Sequence, residues 1–284
     1  RKVTARAKAV AKRLGVDTSE LPGTETVNAS DVEEYAARIA EKERAERHRT
    51  QLSNFSPDYA SENGDAETSR LLIIGAGNGT KTVLDVLARD HSSGLIPVGI
   101  LDDSESKHGT TMIGVPVLGS IGSAFERWDS GDFDSAVITN SSNNELRSLV
   151  HQELTDHDVP FANVIDPTAT ISPSSTIGTG NIILGYCRIG PFVTMGDDNF
   201  ISAMANIEHD TVIGNHTSFG PSVVFSGRVR VGDGVKFGTS IGCEPGVEIG
   251  EWSVIASGSI VTHNIPARSV LKSASVGRVR PADS

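Results

Sequence analysis

Cysteine is scarce in this chain. Cys187 and Cys243 are the two it has and no CxxC occurs, which excludes a disulfide framework and leaves both as packing residues. Long apolar runs are missing as well: nothing approaches the roughly 18 uninterrupted apolar residues of a membrane span. Arg1 to Leu14 carries six Lys or Arg residues and no apolar stretch followed by a cleavage site, so no secretory signal is expected and the compartment reads as cytoplasmic. Positive charge is short too, with 25 Lys and Arg against 36 Asp and Glu and a net charge of −11. That balance argues against sequence-independent nucleic-acid binding, because neutralising phosphates needs clustered cations. Only the first 13 residues are locally basic. A chain of 284 residues exceeds one small core and implies two or three domains.

Val3, Ala7, Val10 and Leu14 recur at helical spacing, and Ser30 followed by Glu33 ahead of Tyr35, Ala36 and Ile39 has the form of a capping box. Two helices are therefore predicted near the N-terminus. The intervening Leu14-Gly15-Val16-Asp17-Thr18-Ser19-Glu20-Leu21-Pro22-Gly23-Thr24, together with Ser30-Asp31-Val32-Glu33-Glu34-Tyr35, resembles the peripheral subunit-binding domain of 2-oxo-acid dehydrogenase acyltransferases over about residues 1–40. The resemblance implies a protein partner recruited through residues 1–40. A helical domain is placed at 1–45 and a solvated linker at 46–70, where Ser, Asn, Asp, Glu and Gly prevail.

Leu71-Leu72-Ile73-Ile74 runs into Gly75-Ala76-Gly77-Asn78-Gly79 and then a helical pattern through Val83, Leu84, Val86 and Leu87. Further apolar runs at 98–101 and 136–138 alternate with helical stretches near Ala124 and Leu146. Residues 71–162 are thus predicted as a small Rossmann-like α/β domain with parallel strands. One mononucleotide-binding half does not make a dinucleotide site, which argues against NAD binding.

The decisive pattern comes next. Every sixth position from Ile165 to Val261 is apolar: Ile165, Ile171, Ile177, Ile183, Ile189, Met195, Ile201, Ile207, Ile213, Phe219, Phe225, Val231, Phe237, Cys243, Ile249, Ile255 and Val261. A period of six fits neither an α-helix nor an alternating strand, but it fits a triangular solenoid with one inward residue per side. The repeat resembles that of the left-handed β-helix acyltransferases, which implies that residues 163–265 form a left-handed parallel β-helix with three hexapeptides to each coil, followed by a tail at 266–284. At 18 residues per coil, one corner column reads Pro173, Pro191, His209, Gly227, Pro245, His263. His209 interrupts the prolines, and Gly227 after it leaves a gap into which substrates could enter beside a basic nitrogen.

Asn206-Ile207-Glu208-His209-Asp210 with Val212-Ile213-Gly214, joined to the Gly75 domain, resembles the nucleotide-sugar N-acetyltransferases and sialic-acid O-acetyltransferases over about Leu71 to Val261. The resemblance implies an acyl-CoA-dependent transferase, with acetyl-CoA as co-substrate, that acylates an amino or hydroxyl group of a sugar or nucleotide sugar in polysaccharide biosynthesis. It further implies a homotrimer with active sites between subunits and no metal. His209 would be the general base and Asp210 its orienting partner. Gly75, Gly77, Asp102, Asp103 and Glu208 would face the substrate, whereas Gly227, Gly238, Thr239, Ser257 and Gly258 would line the acyl-CoA channel. Imidazole suits the role of base because it exchanges protons near neutral pH.

Two other classes remain open at this stage. γ-Type carbonic anhydrases place three zinc-binding histidines on the same β-helix, and His209, His216 and His263 are the histidines of this one. His216 follows Ile213 by three whereas His209 follows Ile207 by two, which puts these two on different sides. A non-enzymatic trimer displaying the N-terminal helix pair is the other alternative, against which the Glu208-His209-Asp210 cluster argues.

Overall fold

The computed structural model describes residues 2–22, 26–54, 57, 59, 68–90 and 92–273. It divides into two compact units, residues 1–55 and 56–284.

In the first unit, β1 (Lys2–Val3) pairs in parallel with β2 (Thr26–Val27), and α1 (Ala5–Leu14) and α2 (Ala29–Asn54) flank them. The Thr4 side chain caps α1 by accepting the Ala7 N–H at 3.2 Å, and Gly15 closes the helix in the left-handed region. Ala7, Val10, Ala11, Leu21, Val27 and Val32 are buried together. The expected box at Ser30 and Glu33 lies two residues too late, because the Asn28 N–H donates instead to Asp31 Oδ2 at 2.7 Å. Nor does the expected linker begin at 46: α2 runs on to Asn54, since residues 40–49 are almost entirely Ala, Glu, Lys and Arg, all strong helix formers. Gly23-Thr24, most of 55–67 and the tail from 274 lie outside the described residues.

The second unit opens with a five-stranded sheet. Its elements are β3 (Ser69–Ile74), α3 (Asn78–Arg89), β4 (Leu95–Leu101), β5 (Thr111–Met112), β6 (Val115–Gly119), α4 (Ala124–Asp129), β7 (Ser135–Ile138) and α5 (Asn144–Asp156), in sheet order β5-β6-β4-β3-β7. The parallel pairings β3–β4 and β3–β7 are as the apolar runs predict, and β6, which no apolar run signalled, adds a third parallel pairing on β4. The antiparallel hairpin β5–β6 is not predicted. Its two-residue turn, Ile113 (φ 48°) and Gly114 (φ 80°), has the positive φ values that hairpins demand, but isoleucine disguises it. Tyr59, from within the expected linker, donates its hydroxyl to the Ile113 carbonyl at 2.7 Å.

Two-residue strands recur every six residues from Val164–Ile165 onward and stack into three parallel faces. Face one contains strands 164–165, 182–183, 200–201, 218–219, 236–237, 254–255 and 270–271; face two contains 170–171, 188–189, 206–207, 224–225, 242–243 and 260–261; face three contains 176–177, 194–195, 212–213, 230–231 and 248–249. This is the β-helix the repeat predicts, with the sixth positions forming a continuous core in which Phe219, Phe225 and Phe237 pack ring to ring. Both cysteines are free and buried in that core.

The glycines that follow the apolar positions serve packing rather than backbone freedom. A Cβ at Gly190 would stand 2.9 Å from the Ile207 carbonyl and one at Gly214 2.9 Å from the Asp233 nitrogen, because coils stack only about 4.8 Å apart. Left-handed residues sit two positions further on and are mostly not glycine: Tyr186, Phe192, Met204, Asp210, His216 and Arg228 among them. The period also changes at the end, where Ile249 pairs with Ile265 and Val254 with Val270. The last coil is therefore two residues shorter at the His263 corner, and the solenoid continues to Leu271, past the expected boundary at 265.

α3 and α5 carry the sheet onto the solenoid. Gly79 is pressed so closely against the Thr139 carbonyl and the Phe200 ring that a methyl group would overlap both. Gly79→Ala is expected to destabilise the protein by about 1–3 kcal/mol through overpacking. An unchanged melting midpoint would contradict this contact.

Candidate active site

Three clusters of sequence-predicted residues occupy three different corners of the prism. His209 lies where face two turns into face three, one residue beyond the strand Asn206–Ile207 and its neighbour Glu208. Its Nδ1 stands 2.7 Å from Asp210 Oδ2. A carboxylate can only accept, so Nδ1 carries the proton and Nε2 presents a lone pair. His209 and Asp210 are both about half exposed. Glu208 turns the other way, accepting from Arg188 at 2.8 Å. Desolvation pushes its carboxyl up, but Arg188 outweighs this and holds it below the usual range.

Gly227, one coil above, is expected to leave open space. It does not, because the His209 ring fills it: a Cβ at Gly227 would lie 2.5 Å from His209 Cε1 and 2.6 Å from Nε2. Gly227 thus makes room for the base. The prolines at 173, 191 and 245 show that this corner position needs no N–H in the ladder, and among the described residues the Gly227 N–H makes no backbone bond. A donor therefore remains beside the imidazole.

The remaining residues expected along the acyl-CoA channel gather at the corner between faces one and two. The Thr239 N–H donates to Ser257 Oγ at 3.0 Å, Gly238 abuts Ser257, and Gly258 follows with φ 74°. This corner is not the one that holds His209.

The third cluster faces the corner between faces three and one. Gly75, Asp102, Asp103, Ser104, Asn140 and Arg147 line a crevice of about 210 Å³ at the carboxyl ends of β3, β4 and β7, the usual ligand position in an open parallel sheet. The glycine loop itself has its first three N–H groups engaged within the protein. Its Gly75 N–H donates to the Leu101 carbonyl at 2.7 Å, the Ala76 N–H to Asp102 Oδ2 at 2.7 Å and the Gly77 N–H to Thr80 Oγ1 at 3.3 Å. Gly77 lines no part of the crevice. Asp103 Oδ1 accepts the Ile121 N–H at 2.9 Å. Asp102 also receives the Ser104 N–H at 2.9 Å and the Lys107 ammonium at 2.9 and 3.0 Å. Burial pushes the Asp102 carboxyl up, yet Lys107 and the two N–H groups outweigh it and hold it low.

A depressed pKa makes the Asp102 contribution complete above the unfolded value near 3.9, and it is lost as pH falls through the folded one. Asp102→Ala should therefore cost about 1–3 kcal/mol at neutral pH, with the gap to wild type narrowing below about pH 4. A gap that is the same at all pH values would refute this.

Arg147 and Asn144 are missed by the sequence reading. Both are buried on α5 with Val150 and Leu154, at the spacing of one helix face. Arg147 donates to Asp198 at 2.9 Å, to Ser218 at 2.8 Å and to the carbonyls of Thr217 and Asn140 at 2.8 and 3.0 Å. His216 shares the same carboxylate at 2.8 Å. His216 is thus held by Asp198 and His209 by Asp210, and among the described residues no group of three His, Cys, Asp or Glu is placed to hold a metal ion. No described helix is long and apolar enough to cross a membrane.

No protein-family model matches the chain. Over 53 residues it is 45% identical to the probable polysaccharide biosynthesis protein EpsC of Bacillus subtilis, a match that covers 18% of this chain and only 9% of that relative. Among solved structures it is similar to PerB of Caulobacter crescentus, crystallised with CoA and GDP-perosamine, at 26% identity and a TM-score of 0.65 over 72% of this chain and 94% of that one. The same GDP-perosamine N-acetyltransferase has been solved with a histidine replaced by alanine or by asparagine. The acetyltransferase domain of PglB from Neisseria gonorrhoeae shares the fold at 23% identity and a TM-score of 0.66, over 72% of this chain and 96% of that one.

Proposed function

We propose that this protein transfers an acyl group, acetyl in the first instance, from acyl-CoA to an amino or hydroxyl group of a nucleotide-linked sugar, with His209 as general base. The observation that carries this reading is the His209 Nδ1 to Asp210 contact of 2.7 Å, which leaves Nε2 as the acceptor of a proton. The likeness to PerB, which was crystallised with CoA and a nucleotide sugar, supports both substrates.

The residues would act as follows. Nε2 of His209 takes the proton of the attacking amine or hydroxyl as its nitrogen or oxygen bonds to the thioester carbonyl carbon. The uncommitted Gly227 N–H donates to the oxyanion that develops there. When the intermediate collapses, the carbon–sulfur bond breaks and the departing thiolate recovers the proton from Nε2. Asp210 holds the ring in one tautomer and orientation throughout.

Placement at three corners supports a trimer. One chain cannot bring His209, Ser257 and the Asp102 crevice together, whereas a second copy packed on face two, where Val224 and Ile260 are 44% and 65% exposed, sets one corner against another. The first unit, with its own core and with Lys2, Arg6, Lys8, Lys12 and Arg13 exposed, is assigned to docking an acidic protein surface.

The test is thiol release from acetyl-CoA with UDP- and GDP-linked amino sugars, together with light scattering. Turnover and three times the chain mass are expected. A monomer at micromolar concentration, or no turnover with any such acceptor, would overturn the reading. Deleting residues 1–60 should leave both properties intact.

A further inference from the structure

The corner that carries His209 has a second column of residues, one position beyond the base. On successive coils it reads Phe192, Asp210, Arg228 and Gly246, all left-handed, with φ of 58°, 58°, 64° and 73°. Equivalent backbone geometry on stacked coils gives these side chains a common outward direction, with steps of about 4.8 Å. Arg228 is tied to the base directly, because its N–H donates to the His209 carbonyl at 2.9 Å.

Arg228 differs from the cations around it. Arg188 is neutralised by Glu208 at 2.8 Å, and Arg230 faces Glu248 at 4.0 Å. Among the described residues Arg228 has no carboxylate partner, and its side chain is exposed. In a chain of net charge −11, this unpaired guanidinium stands one coil above the orienting carboxylate. Phe192, one coil below that carboxylate, is 65% exposed. An aromatic ring left in water and an uncompensated cation thus bracket the His209–Asp210 pair.

We infer that Arg228 is a specificity residue, binding an anionic group, carboxylate or phosphate, that the acceptor carries close to the atom acylated. Phe192 offers a flat apolar surface below the same ligand. The inference rests on His209 being the base of the proposed transfer. Distance selects the acceptor over the donor. The pantetheine arm separates a thioester from the nearest CoA phosphate by more than an arginine side chain can span. A uronic or sialic acid, by contrast, has its carboxylate on the sugar ring, and a nucleotide sugar has its diphosphate one ring away.

The test needs no turnover. Carbethoxylation of His209 by diethylpyrocarbonate is followed by peptide mass spectrometry on the intact protein, with exposed His263 as internal control. Glucuronate, glucose 1-phosphate, glucose and CoA serve as protecting probes. Glucuronate or glucose 1-phosphate should slow modification of His209 but not of His263, and glucose should not. Whichever anion protects identifies carboxylate or phosphate as the group read. In Arg228→Gln the concentration giving half-protection should rise about tenfold or more, as expected for losing one charge-assisted hydrogen bond, while Arg228→Lys retains part of the effect. The inference fails if neither anion protects, if Arg228→Gln protects as well as wild type, or if only protection by CoA is lost. Protection that depends on Arg228, without acyl transfer to any sugar, would instead refute the proposed activity alone.

Discussion

His209→Ala is expected to lower kcat for acyl transfer about 10²- to 10⁴-fold, the usual worth of a positioned general base, with KM for both substrates little changed. The ring is only half covered by protein and reaches it through one side-chain bond to Asp210, so its removal should not unfold the coil. Asp210→Asn should reduce kcat by less, since an amide can still touch the ring but no longer enforces the Nδ1–H tautomer. Gly227 supplies an independent arm. Because the imidazole lies where a Gly227 side chain would stand, Gly227→Ala should push the ring aside and reproduce much of the kcat loss with His209 still present. An effect confined to KM for acyl-CoA would instead place Gly227 in the channel. Near-normal turnover in His209→Ala would remove the base assignment altogether.

Arg147→Met should be the most damaging substitution for stability. Arg147 and Asp198 are each 1% exposed and 2.9 Å apart, and burial drives the guanidinium pKa down against the pull of Asp198. Removing the cation leaves a buried carboxylate with only His216 beside it, at a cost of about 3–5 kcal/mol. The contacts to Thr217, Ser218 and Asn140 go with it, so the sheet loses its clamp on face one. For a unit of this size the melting midpoint should fall by about 6–20 °C. A shift of under 2 °C would show that the pair adds nothing to stability. Arg147→Met with Asp198→Leu should recover much of the loss, since apolar replacement of both partners removes the unpaired charge.

The solenoid was legible from the sequence because its constraint is local and repeated. Each strand contributes one inward side chain, the next coil lies about 4.8 Å away, and every sixth residue from Ile165 to Val261 must therefore fill the same narrow interior. His209 was legible for the same reason, as a break in a column of prolines. β3, β4, β7, α3 and α5 were signalled by apolar periodicity, whereas the β5–β6 hairpin was not, because Ile113 occupies a turn position that glycine or asparagine usually marks.

Tertiary structure alone decided where the polar groups are spent. Gly75 and Gly77 have the spacing of a phosphate loop, yet the Gly75 N–H turns inward to Leu101, a partner that the fold supplies from the neighbouring strand. Asp102 looks from sequence like a ligand contact and is largely consumed by Ala76, Ser104 and Lys107. Arg147 looks like an ordinary helix-surface arginine, and only the docking of α5 on the solenoid buries it against Asp198, 51 residues away. Repetition writes a backbone shape into neighbouring residues, but a hydrogen bond between distant segments exists only once the chain has folded, so the sequence could name the candidates while packing chose their partners.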